Sequence, residues 1–173
     1  LFGVLAVRSA VGLFYWPGFL ASNSPSQTTS LVTSSSQRRC TSFVLQKVLD
    51  GFVGYGELPM LYTGGFVDIS IIRRIRSQDG PLFRSMNPDV YSAIAISHCI
   101  DSYVYTRKVL EIGGFSKHSN GAAFFRSKNN KRSDQLCSTF IQENDRYIHH
   151  YLSSGCLSNL PLSMQLLVCD SYL

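Results

Sequence analysis

The stretch SMNPDVYSAIAISHCIDSYVYT, residues 85–106, and the segment VLEIGG, residues 109–114, together decide the fold class of this chain. Asn87 is a favourable helix N-cap, and Pro88 suits the first helical position. Apolar and small residues then recur at helical spacing. They form one broad stripe, which consists of Val90, Ala93, Ile94, Ile96, Ser97 and Ile100. The first stretch therefore predicts a largely buried helix, and VLEIGG predicts a strand after it.

Strands and helices also alternate upstream of this stretch. Residues 1–19 are apolar and predict a buried strand. From Thr41 the apolar residues follow helical spacing, and Gly51 stands where a short helix would end. The segment MLYTGGFV, residues 60–67, predicts a strand that two adjacent glycines interrupt. Glycine inside a strand marks a bend or a place where a ligand approaches the backbone, and the sequence leaves both readings open.

Asp68 is a suitable N-cap for a further helix with an apolar face and a basic surface. The apolar face is predicted to consist of Ile69, Ile72 and Ile75, and the solvated arginines are predicted to be Arg73, Arg74 and Arg76. Two more helices are predicted over residues 134–146 and 162–172. This alternation predicts an α/β protein, with a mixed sheet flanked by helices and a ligand site at the strand ends.

Composition and charge limit the number of domains and the kinds of partner. The 173 residues, of which 45% are hydrophobic, are enough for one packed domain, so we expect a single domain over residues 1–173. The formal charge of +5 is compatible with phosphate-bearing ligands, nucleic acid or contact with an anionic membrane surface. Five cysteines without a C-x-x-C pair favour reduced thiols, and hence a cytoplasmic protein, over a disulfide framework or a zinc site.

The N-terminal part of the chain raises the question of a membrane span or a leader. Residues 1–21 are apolar, but Arg8 and Pro17 interrupt them, whereas a span needs about 20 uninterrupted apolar residues. We therefore expect no transmembrane segment, and the pattern of a secretory signal is not evident. Ser and Thr dominate residues 21–39, which predict a mobile loop.

Asp89 is the first candidate for chemistry, because it lies in the first turn of the helix predicted within residues 85–106. Backbone N–H groups and the helix dipole favour the charged carboxylate at that position. A general base that accepts a proton from an attacking hydroxyl needs this charged state. Asp in a first helical turn is also common for stability alone, so its position leaves both roles open.

His118 is the second candidate and lies in the segment KHSNG, which follows the strand predicted over residues 109–114. A neutral imidazole can bind a divalent cation, and Lys117 could offset the charge of a diphosphate. A solvated loop histidine is the alternative interpretation. His98, in the predicted buried helix, is expected to be a hydrogen-bonded core residue.

A basic run in residues 124–132 suggests a different function. Two phenylalanines precede its cations, which are Arg126, Lys128, Lys131 and Arg132. Aromatic and basic side chains together are the ingredients of single-strand nucleic-acid binding. A non-catalytic module that binds nucleic acid through this run is therefore the alternative function, and a solvated surface loop explains the same residues.

Four strings, in this order along the chain, resemble the C-terminal half of a family 2 glycosyltransferase with the GT-A fold. They are FYWPGF at 14–19, LPMLYTGGFV at 58–67, NPDVYSAIAI at 87–96 and GGFSKHSNGAA at 113–123. The resemblance covers nearly the whole chain from Phe14 onward. PDVYS followed by KHSNG is its most specific part.

The resemblance implies an enzyme that moves a sugar from a nucleotide-sugar donor to the hydroxyl of a glycan or another acceptor. It implies that Asp89 is the general base and that His118 binds Mn²⁺ or Mg²⁺ as the cofactor. It also implies that Gly64 and Gly65 pass beneath the donor sugar and that Lys117 faces the leaving diphosphate. The other implied substrate contacts are Tyr62, Ser119 and Asn120.

Family members begin with a nucleotide-binding half that ends in a D-x-D metal motif, and no such half precedes Leu1. The resemblance therefore implies that residues 1–173 are the acceptor-side half of a GT-A catalytic domain. Such a fragment would lack the main carboxylate ligands of the cation. On this interpretation no nucleic-acid partner is expected.

Overall fold

The computed structural model describes residues 3–19, 25, 27–29, 35–79, 82–83, 87–116, 139 and 142. Five strands, three α-helices and one short 3₁₀ helix lie within these ranges. In chain order they are β1 (Ala6–Tyr15), β2 (Gln27–Thr29), β3 (Ser36–Cys40), α1 (Thr41–Leu49), the 3₁₀ helix (Tyr55–Glu57), β4 (Gly65–Val67), α2 (Ile69–Asp79), α3 (Pro88–Cys99) and β5 (Ser102–Phe115).

The strands form one mixed sheet in the order β2-β1-β5-β3, and β4 pairs with β1 on the same edge as β2. The two long central strands, β1 and β5, are parallel, and all other pairings are antiparallel. The pairing of β1 with β5 shifts register around Ala10. The protein is therefore an α/β protein with an open mixed sheet, as its sequence predicts.

The hydrophobic core lies between the helices and the beginning of the two central strands. Helix α3 is in the middle of the helical layer, where it contacts both α1 and α2. Ala6 of β1 and Tyr103 of β5 extend the core into the sheet, and both are buried. The remaining buried residues of the cluster are Val44, Leu45, Val48, Leu58, Met60, Ile71, Ile75, Val90, Ala93, Ile94, Ile96 and Ile100.

Several predicted helix boundaries are confirmed. Asn87 is the N-cap of α3, and Pro88 is its first residue. Helix α1 begins at Thr41, and Gly51 just beyond its end has a positive φ of 76°, which glycine adopts without a Cβ penalty. Asp68 caps α2 by accepting a hydrogen bond at 2.8 Å from the backbone N–H of Ser70.

The predicted loop over residues 21–39 is wrong at two places, because β2 and the first four residues of β3 lie within it. Strand β3 is an edge strand whose residues are exposed or half-buried. It is held by backbone pairing with β5, from Ser36 opposite Thr106 to Cys40 opposite Ser102. Because an edge strand of this kind needs no apolar face, the sequence carries no alternating pattern that would have predicted it.

Three other predictions need correction. The helix predicted within residues 85–106 ends at Cys99, and its aromatic and β-branched tail belongs to β5. Only Gly65–Val67 of the strand predicted over residues 60–67 is a strand. On α2 the buried residues are Ile71 and Ile75, whereas Ile69 is 59% exposed.

The predicted helices over residues 134–146 and 162–172 lie outside the described residues, apart from Thr139 and Gln142, which are helical. None of the helices in the described ranges combines the length and the apolar character that a bilayer crossing requires. Neither Cys40 nor Cys99 forms a disulfide.

Candidate functional site

Asp89 lies in the first turn of α3 and is half-buried, so its carboxylate is neither sealed in the core nor fully solvated. The Tyr55 hydroxyl of the 3₁₀ helix donates a hydrogen bond to this carboxylate at 3.0 Å. The 3₁₀ helix and α3 are in direct contact. The carboxylate is thus oriented by a neighbouring element, in a residue that is half-buried.

The raised pKa of the Tyr55 hydroxyl explains how this residue acts on Asp89. Burial raises the pKa of Tyr55 well above its ordinary value, and the nearby Asp89 charge and the hydrogen bond raise it further. A phenol with a raised pKa stays protonated at neutral pH and remains a hydrogen-bond donor. Tyr55 therefore positions the carboxylate and does not compete with it for protons.

The segment that carries Tyr62 is attached to the N-terminal half of α3. The backbone N–H of Leu61 donates to the Ser92 hydroxyl at 3.2 Å, and that hydroxyl donates to the Asp89 carbonyl at 2.9 Å. Tyr62 follows directly and its side chain is 66% exposed. The backbone next to Tyr62 is therefore bound to α3, and a role of the Tyr62 side chain in substrate binding stays a prediction.

Gly64 lies where the chain turns toward β4, with a positive φ of 83°. A Cβ built on it would lie 2.6 Å from a methyl carbon of Val11 and 2.8 Å from the Ser9 carbonyl oxygen. The Gly64 N–H donates to the Glu111 carboxylate at 2.5 Å. A Cβ on Gly65 would collide with the backbone of Met60. Close packing of the protein against itself thus explains both glycines, and approach of a ligand stays a prediction.

Arg8 is a buried cation that the sequence does not identify as part of a site. Its side chain is only 9% exposed, and burial lowers its pKa. Its Nε donates to the Gly56 carbonyl at 2.6 Å, and its Nη1 donates to the Thr63 carbonyl. Charges and hydroxyls of Tyr105, Glu57, Glu111 and Tyr55 offset the burial. Arg8 therefore holds both ends of the segment from Gly56 to Thr63 against β1.

The described parts of the four strings form a continuous chain of contacts. The Trp16 N–H donates to the Phe115 carbonyl at 2.9 Å, next to Gly114, which pairs with Phe14. A Cβ on Gly113 would lie 3.5 Å from the Thr63 side chain. Thr63 in turn belongs to the segment that α3 binds through Ser92. Strings far apart in the sequence are therefore linked by pairwise contacts.

Other predicted site residues lie outside the described residues. These are Lys117, His118, Ser119 and Asn120, together with the basic run in residues 124–132. His98 is exposed on α3, so the prediction that it lies in the core is wrong. His98 shares a face of α3 with the half-buried Tyr91 and Ala95, outside the broad buried stripe, and this explains the difference.

The carboxylates, thiols and imidazoles of the described ranges do not fit a divalent cation on their own. No group of three or more His, Cys, Asp or Glu residues there is arranged to hold a metal ion. The described residues therefore do not by themselves form a cation site.

Comparisons with known proteins identify no relative of this chain. No family model matches the chain, and neither a curated protein nor a solved structure matches it.

Proposed function

We propose that this chain is the acceptor-side part of a family 2 glycosyltransferase of the GT-A fold. It would transfer a sugar from a nucleotide-sugar to the hydroxyl of a glycan or another acceptor. The observation that supports this most is that the 58–67 string contacts both α3, the helix that carries Asp89, and the start of the 113–123 string. The 58–67 string is hydrogen-bonded to α3 through Ser92, and the 113–123 string begins beside Thr63.

In this proposal Asp89 is the general base. The acceptor oxygen attacks the anomeric carbon, its proton passes to the Asp89 carboxylate, and the sugar–phosphate bond breaks with its electron pair leaving on the diphosphate. Tyr55 positions the carboxylate through the 3.0 Å hydrogen bond and keeps its own proton. Tyr62 and the backbone at Gly64 and Gly65 would contact the substrates.

The proposal includes Mn²⁺ or Mg²⁺ as the cofactor, with His118 as a ligand. Such a cation neutralises charge on a leaving diphosphate when it is bound. Lys117, Ser119 and Asn120 are proposed as further contacts. The described residues contain no cation site, and the proton transfer to Asp89 involves residues of this chain alone. A cytoplasmic location is proposed with it.

A melting experiment tests the class of function. Nucleotide-sugars are added to the full-length protein with Mn²⁺, and we expect the donor to raise the melting temperature in a concentration-dependent manner, because it binds only the folded state. Retention on a polyanion column with a steep salt dependence, without any shift by nucleotide-sugar, would contradict the transferase and favour nucleic-acid binding through residues 124–132.

A further inference from the structure

Arg8 is a buried cation that the proposed reaction does not use. Its side chain belongs to β1 and is only 9% exposed. No carboxylate of the described ranges forms an ion pair with it, and Glu57 and Glu111 act on its charge only through longer-range attraction. Burying a cation without an ion-pair partner lowers stability, and an apolar side chain of similar size often avoids that cost. The hydrogen bonds of Arg8 therefore have to explain its position.

These hydrogen bonds join the two ends of one segment. The Arg8 Nε donates to the Gly56 carbonyl at 2.6 Å, and the Arg8 Nη1 donates to the Thr63 carbonyl. Because a guanidinium is planar and rigid, it holds the two carbonyls in a fixed relative position. Gly56 belongs to the 3₁₀ helix and directly follows Tyr55. Arg8 therefore ties this helix to β1 at the residue next to Tyr55.

The Tyr55 hydroxyl is sensitive to the position of its backbone. A tyrosine side chain has only two torsion angles, so its hydroxyl closely follows a movement of the backbone. The hydroxyl donates to the Asp89 carboxylate at 3.0 Å. A movement of about 0.6 Å away from Asp89 would lengthen this contact to about 3.6 Å, which is beyond the range of a hydrogen bond. The contact therefore requires that the 3₁₀ helix is fixed in place.

A second contact fixes the other end of the 3₁₀ helix. The Tyr103 hydroxyl of β5 donates to the Glu57 carbonyl at 2.6 Å, and the following residue, Leu58, is fully buried. Glu57 and Leu58 come after Gly56, whereas Tyr55 comes before it. Of the described side chains that bind carbonyls of this helix, Arg8 therefore binds the one closer along the chain to Tyr55.

We propose that Arg8 is a positioning residue, which places the Tyr55 hydroxyl on the Asp89 carboxylate through the Gly56 carbonyl. Arg8 acts through Gly56 and Tyr55, and it is not itself a catalytic residue. The placement of the hydroxyl can be measured without any activity. Its consequence for catalysis rests on the proposed function, in which Asp89 is the general base.

A double-mutant cycle on the full chain tests the placement. Urea unfolding gives the stability that the protein loses on Tyr55→Phe, first in the wild type and then in Arg8→Lys. Lysine keeps a cation in the same strand, but it cannot bind two carbonyls with a planar fork. We expect the loss caused by Tyr55→Phe to fall to less than about half of its wild-type value in the Arg8→Lys background, because the hydroxyl then no longer meets Asp89.

Two further variants control for folding and for the change of an arginine. Arg8→Met introduces an unbranched apolar side chain without a buried charge, and it should weaken the effect of Tyr55→Phe as Arg8→Lys does. Arg74→Lys is the matched control, because the Arg74 Nη1 donates to the carbonyl of Cys99, at the other end of α3, at 3.1 Å. In the Arg74→Lys background the loss caused by Tyr55→Phe should keep its wild-type value.

Sugar transfer measures the consequence for catalysis. Arg8→Lys should lower kcat by about tenfold or more, with the acceptor KM within about twofold of the wild type, because the Asp89 carboxylate is then less well oriented. In the Tyr55→Phe background, Arg8→Lys should cause little further loss. A purely structural role of Arg8 would instead lower the rate of transfer to the same extent in both backgrounds.

The two readouts separate the positioning role from the proposed function. Equal losses of stability on Tyr55→Phe in the wild type and in either folded Arg8 variant would overturn the positioning role, whatever the activity. Absence of transfer by the wild type, with panels of nucleotide-sugars and acceptors, would overturn the proposed function, and the urea titrations would still decide the role of Arg8.

Discussion

Single residues determine how the segment from Gly56 to Gly65 packs against β1. Arg8 binds this segment at the Gly56 and Thr63 carbonyls, and the Ser9 N–H donates to the Gly64 carbonyl at 2.7 Å. The sequence suggested a special role for Gly64, because two adjacent glycines interrupt an apolar run. The sequence contains no comparable signal for Arg8. The structural role of a cation within an apolar strand can be recognised only when its carbonyl partners are known, and these lie far away in the sequence.

Replacing Gly64 with Ala should destabilise the protein by about 3 kcal/mol. The positive φ of 83° disfavours any side chain, and the new Cβ would lie within 3 Å of Val11, Arg8 and Ser9. Gly54→Ala is the control, because nothing lies within 4 Å of a Cβ there and its φ of −76° suits alanine. Urea unfolding measures both variants, and similar losses would contradict this view of Gly64.

The Tyr55 hydroxyl should make stability depend on alkaline pH. Because its pKa in the folded protein is raised above the ordinary value of 10.0, its contribution is fully present below about pH 10. Above that pH the unfolded chain loses the proton first, so the free energy of unfolding falls by at most about 1.4 kcal/mol per pH unit.

Comparison of the wild type with Tyr55→Phe isolates this effect. The stability advantage of the wild type, about 1 kcal/mol from one hydrogen bond at pH 8, should shrink as the pH rises from 9 to 11. Tyr62→Phe, which removes a hydroxyl from a side chain that is 66% exposed, is the matched control. Urea titrations at each pH give the values, and an advantage that grows with pH would exclude the proposed ionisation.

At the scale of elements, the sequence predicts helices better than strands. Caps and glycines located the start of α3 and the end of α1, because these signals act on the local backbone. The rotation of α2 could not be predicted, since its isoleucines allow more than one apolar face until α3 is placed beside it. The edge strand β3 was missed because its exposed residues form no apolar pattern.

Substitutions on α2 can test which face of this helix is buried. Ile75 is 1% exposed, so Ile75→Ala should destabilise the protein by about 2 to 4 kcal/mol by leaving a cavity in the core. Ile69→Ala on the same helix is the matched control, and it should cost less than about 1 kcal/mol because Ile69 is 59% exposed. Thermal unfolding measures the loss of stability in both variants. A larger loss for Ile69→Ala than for Ile75→Ala would show that α2 buries the face that carries Ile69.

At the scale of the whole molecule, sheet pairing brings two of the four family-like strings together. The parallel pairing of β1 with β5 joins Phe14 to Gly114, whose strings are far apart along the chain. The sequence contains the four strings and the candidate residue Asp89, whereas the contact of Tyr55 with Asp89 depends on long-range packing. No local pattern encodes a hydrogen bond between a 3₁₀ helix and the first turn of a later helix.

Sugar transfer by the full-length Asp89→Asn variant, with nucleotide-sugar and acceptor panels and Mn²⁺, tests the central claim most directly. Loss of a general base should lower turnover by about 10²- to 10⁴-fold, while donor binding stays within about twofold of the wild type. Asp68→Asn, which changes the exposed cap of α2, is the control and should retain full turnover. Release of nucleoside diphosphate at the wild-type rate by Asp89→Asn would contradict the account.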